Sequence, residues 1–86
     1  MQQHFITPKP NEAQAAKELL GGLLNHLLLL RIKNDGSLLI MEAPHILGSG
    51  RIRFQTYEPL TETEQTFLRE NVPAESYQFN QTEEGE

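Results

Sequence analysis

The groups able to do chemistry in this chain are few and far apart. His4, His26 and His45 are separated by 22 and 19 residues, which matches no metal-ligand spacing. The absence of cysteine removes disulfides, thiolate metal sites and a thiol nucleophile. Gly48-Ser49-Gly50 lacks the Lys-Ser/Thr of a phosphate-binding loop and opens no helix. Glu62 and Glu64 resemble an acid–base pair, but they fall in the first turn of a predicted helix, where the dipole already accounts for acidic side chains. The residues therefore predict no catalytic group, no cofactor, no bound metal and no enzyme.

The basic residues carry more information. Arg31, Lys33, Arg51 and Arg53 leave one side of the predicted sheet, where they could meet RNA or an acidic partner. The plainer account is that they cap an exposed sheet and pair with an acidic tail. RNA binders of the sheet type stack bases on exposed aromatics, and Tyr57 alone is placed for that. Residues 1–57 carry a net +2 and residues 58–86 a net −7, within a total of −5. Overall acidity argues against sequence-independent nucleic-acid binding. It leaves open an acidic C-terminal third that seeks a basic partner.

These residues must be positioned by a small framework. With 86 residues, of which 37% are hydrophobic, the chain supports one modest core and leaves little room for a deep pocket. Asn11 is placed to cap a helix over about 11–25, with Ala13, Ala16, Leu20, Leu23 and Leu27 on its apolar side. Asn34-Asp35-Gly36 lies between LLLLRIK and SLLIMEA, a pattern expected of a β-hairpin because Gly36 can take positive φ. In that register Ile32 faces Leu38 and Leu30 faces Ile40, leaving Leu29, Arg31, Leu39 and Met41 on the outer face. The competing reading is one helix over 11–33. Leucine favours it, whereas Gly21-Gly22 and the lack of a polar face over Leu27–Leu30 oppose it.

Pro44 is expected to end the second strand. Arg51 to Tyr57 alternates as a third strand, with Ile52, Phe54 and Thr56 inward and Arg51, Arg53, Gln55 and Tyr57 outward. Thr61 and Glu64 form a capping-box pattern for a helix ending near Asn71. The expected architecture is α+β, in the order α-β-β-β-α, with a three-stranded antiparallel meander packed against helices. Residues 1–10 are expected to be an extended arm, 11–73 the folded domain and 74–86 an acidic tail, disordered unless Tyr77 and Phe79 dock back onto the sheet.

Asp35, Gly36, Leu38 and Ile40, followed by Ala43-Pro44 and Leu60-Thr61, give the chain a further likeness. Over about half its length it resembles the tubulysin-type N-terminal docking domains of modular biosynthetic megasynthases. A third strand at 48–57 and a shorter closing helix depart from that pattern. The resemblance implies that a partner's short segment docks along the exposed hairpin edge.

The expected role is a non-catalytic protein-interaction module, homodimeric through the outer hairpin face or binding a partner there. Leu29, Arg31, Leu39, Met41, Arg51, Arg53 and Tyr57 are the contact residues. The alternatives are a nucleic-acid binder using the basic sheet face and a small acidic inhibitor or mimic. The start lacks a secretory pattern and the leucine run Leu19–Leu30 is too short to span a bilayer, so a cytoplasmic protein without membrane contact is expected.

Overall fold

Residues 1–82 are described by the structure, a computed structural model. The N-terminal residues form a strand, β1 (Gln2–Thr7), followed by a long helix, α1 (Ala13–Asp35). Next come β2 (Ile40–Ile46), β3 (Ile52–Thr56), α2 (Glu62–Asn71) and β4 (Ser76–Thr82). The sheet order is β2-β3-β1-β4, with every neighbouring pair antiparallel. This βαββαβ order, with a strand inserted between the two parallel strands of each unit, is the split-βαβ, ferredoxin-like connectivity. The fold is α+β as expected, but the sheet has four strands, one more than the expected meander, and its hairpin joins β2 to β3 instead of turning at Asn34-Asp35-Gly36.

The strand expected at Leu27–Lys33 does not form, and α1 continues to Asp35. Ala16, Leu20, Leu24 and Leu27 are buried at helical spacing, so the leucines after His26 extend the face begun before it. Gly36 ends the helix in the left-handed conformation, φ 76°, and its N–H bonds to the carbonyls of Arg31 and Ile32. Hairpin turn and helix stop both need that conformation, so Asp35-Gly36 is an equally good signal for either. Asp35 Oδ1 accepts from the N–H of Ser37 at 2.9 Å and directs the chain out of the helix. Gly21 and Gly22 neither end α1 nor admit a crossing strand: a Cβ at either would have no neighbour within 4 Å.

The N-terminal arm is instead a central strand, paired with β3 on one side and β4 on the other. Asn11 is not the helix cap. It turns at φ 70° and Glu12 takes the N-cap position without a side-chain hydrogen bond. The second strand runs on through Pro44, which is tolerated because β2 is an edge strand with two register irregularities. The tail expected to be disordered supplies β4, in which Phe79 is buried. The last part of that expectation, residues 83–86, lies outside the described residues.

The core lies between the sheet and the helices. Ile6, Ile52, Phe54 and Phe79 from the sheet meet Leu20, Leu24, Leu27 and Leu68 from the helices. The predicted alternation of β3 holds, with Ile52, Phe54 and Thr56 buried.

One polar cluster crosses this core. His4 is fully buried, stacked on Phe54 with ring centroids 4.7 Å apart. Its Nδ1 accepts from the N–H of Asn80 at 3.0 Å, so the ring proton resides on Nε2, which donates to Thr56 Oγ1 at 2.8 Å. Thr56 passes its own hydrogen to the carbonyl of Glu58 at 2.6 Å. Burial lowers the His4 pKa to about 4, leaving a neutral imidazole with both nitrogens satisfied.

Candidate interaction surface

Surface chemistry divides into the open face of the sheet and the outer side of the helical layer. On the sheet, Phe5, Arg51 and Arg53 lie opposite the core-facing residues, and the Arg51 guanidinium covers the Phe5 ring at 4.5 Å. Arg53 Nη2 lies 3.4 Å from Glu42 and donates to Nε2 of His45 at 3.3 Å. The two arginines therefore share a face as expected, but both are engaged with neighbours.

Arg31 and Lys33 belong to α1 and do not join them. Arg31 is an internal strut. Its Nε and Nη2 donate to the two carboxylate oxygens of Glu64 at 2.9 and 2.7 Å, and further bonds reach Glu58 and the carbonyl of Pro59. The Glu64 hydrogen bonds raise the guanidinium pKa further. Burial alone would raise the carboxyl pKa of Glu64, but hydrogen bonds from Arg31 and Thr61 outweigh it and hold that pKa below the ordinary value. Glu64 also accepts from the N–H of Thr61 at 2.9 Å, completing the predicted capping box. The start of α2 is thereby fastened to the last turns of α1.

Leu39, expected on an outer face, is fully buried and cannot meet a partner. Met41 lies on the irregular stretch of edge strand β2, and Tyr57 stands beside Leu38 in a shallow cleft. Leu29 is 58% exposed on the side of α1 away from the core. Apart from Arg51 and Arg53, the seven expected contact residues thus do not gather on one surface. The hairpin edge implied by the docking-domain resemblance is absent, because its first strand is helix.

What the expected site missed is the rest of the α1 surface. Leu19, Leu30 and Ile32 are 43, 41 and 43% exposed, so with Leu29 the helix is apolar beyond the side that the sheet covers. On its α2 side a cleft of about 300 Å³ is lined by His26, Leu27, Leu30, Thr63 and Phe67, among others. The rings of His26 and Phe67 lie 5.9 Å apart across it. The unbroken run Leu27–Leu30 signals this surface once it is placed on a helix, where four consecutive leucines must point in four directions.

Among the described residues no group of three His, Cys, Asp or Glu could hold a metal ion, and no helix is long and apolar enough to cross a membrane. Comparison with family models, with curated proteins and with solved structures finds no match to this chain.

Proposed function

We propose that this chain is a small non-catalytic protein-interaction module that presents the outer face of α1. One observation carries the reading: Leu19, Leu29, Leu30 and Ile32 stay 41–58% exposed on α1, outside its buried stripe of Ala16, Leu20, Leu24 and Leu27. Large apolar side chains left exposed together on one element mark a surface that another protein covers. A covering protein, whether a partner or a second copy, removes that surface from water at about 25 cal/mol per Å².

Partner-strand addition at the β2 edge is less suited to this molecule. The β2 edge carries Pro44 and two irregularities, both of which interrupt a pairing ladder. Nucleic-acid binding is less suited too, since Arg53 faces Glu42 and Arg31 is held by Glu64 and Glu58.

The test compares the wild-type chain with a Leu29→Glu/Ile32→Glu double variant. Wild type should self-associate in sedimentation experiments or retain a specific protein from its native host. The variant should lose that association while keeping its melting temperature. Association undiminished in the folded variant would falsify the role given to α1.

A further inference from the structure

We infer that the cleft between α1 and α2 receives an amphipathic helical segment of a partner protein whose polar flank is basic. This rests on the interaction role proposed above and deepens it by naming the occupant. Leu27 and Leu30 give the cleft its apolar lining beside His26, and Leu19 and Leu23 continue the same side of α1 at three- and four-residue steps from His26 and Leu30. From Leu19 to Leu30 this line is about 16 Å long, three turns at 1.5 Å per residue. One end is the cleft at His26, Leu30 and Phe67, and the other is a hollow beside Leu19 and Pro73.

Both walls are helices, so the cleft has no strand edge to offer an extended peptide. Its occupant must engage through side chains, as a helix does when it lays one face into a groove. At about 300 Å³ and open to solvent, the space is at the lower limit for a small-molecule site, ~300–1,000 Å³.

Charge selects the occupant. Glu62, Thr66 and Glu70 stand four residues apart on one row of α2, along the rim beside Phe67. Glu62 and Glu70 have no ion pair among the described residues. Glu12 stands at the hollow beside Leu19. Arg31, the one arginine or lysine lining the cleft, is already neutralised by Glu64 and Glu58. A second copy of this chain would set the same acidic rim against itself, whereas a Lys- or Arg-flanked helix would complement it.

The probes are two synthetic helix-forming peptides of about 14 residues, a length that covers three turns with margin. They share leucines at three- and four-residue steps and differ only in lysine or glutamate flanks. Titrated into the full, isotope-labelled chain, the lysine peptide should shift the Leu27, Leu30 and Phe67 resonances. It should bind at least about tenfold more tightly than the glutamate peptide and weaken with added salt. Glu62→Lys/Glu70→Lys should reverse that preference, and Glu70→Lys alone should reduce it should the double variant unfold. Equal affinity for both peptides, shifts confined to other surfaces, or no binding of the lysine peptide would each overturn the proposal. Such failure combined with loss of native-host association in Leu29→Glu/Ile32→Glu would discard the basic helix in the cleft and keep the interaction role.

Discussion

Arg31 near the end of α1 grips Glu64 in the first turn of α2 through two hydrogen bonds of 2.7 and 2.9 Å, and both side chains are only 12% exposed. Glu64 simultaneously caps Thr61. One carboxylate thus closes the N-terminus of α2 and ties it to the neighbouring helix.

Removing Arg31 should leave the largely buried Glu64 carboxylate uncompensated, and removing Glu64 should leave Arg31 only the exposed Glu58 as a counter-charge. Arg31→Met and Glu64→Gln are each expected to lower unfolding stability by about 2–3 kcal/mol in urea denaturation. A double-mutant cycle should give a coupling above about 1 kcal/mol. Thr61→Ala, which removes only the cap, should cost about 1 kcal/mol. Additive single effects at Arg31 and Glu64 would show that the pair does not act as a unit.

The buried His4 makes stability pH-dependent in a definite direction. Its folded pKa of about 4 lies below the unfolded value near 6.5. Between these pH values the unfolded chain binds a proton that the folded chain refuses, so stability rises with pH. The contribution is complete above about pH 6.5 and is lost as pH falls towards 4, by about 3 kcal/mol in all. Denaturant midpoints for wild type and His4→Gln, compared across that window, should converge as the solution becomes acid. Parallel curves would mean that His4 titrates normally.

Gly21 and Gly22 lie inside α1 with open space around any added Cβ. Alanine at each should stabilise the fold by about 1 kcal/mol, raising the melting temperature by roughly 4–8 °C per substitution. A lowered melting temperature would reveal a steric demand at those positions.

Leu39 and Leu29 separate core from surface. Leu39→Arg places a charge in a fully buried site and should unfold the domain at ambient temperature, detected by loss of near-ultraviolet dichroism. Leu29→Glu should change stability by no more than about 0.5 kcal/mol. Similar stability losses for the two would contradict the burial that distinguishes them.

Parts of the architecture were legible from local chemistry. The capping box at Thr61 and Glu64 starts α2 because its hydrogen bonds span only three residues. The alternation over Ile52–Thr56 survives because a half-buried strand imposes a two-residue period wherever it sits. β4 had the same signal in Tyr77 and Phe79, masked by the surrounding polar residues. β1 was harder to see, since one of its two inward residues is a histidine.

The candidate surface was read less well, because exposure depends on what lies opposite. Leu29 and Leu39 are the same residue type in similar leucine-rich surroundings, yet one is 58% exposed and the other fully buried.

By itself the sequence determined the α+β class, the third strand and the capped second helix. Each follows from side chains within a few positions of one another. The tertiary structure alone decided that Asp35-Gly36 stops a helix, that both chain ends supply strands, and that Arg31 faces inward. These outcomes turn on contacts between distant residues: Leu27 against the sheet, His4 with Asn80, and Arg31 with Glu64. A left-handed glycine or a run of leucines satisfies two local geometries equally, and burial against the remainder of the chain selects between them.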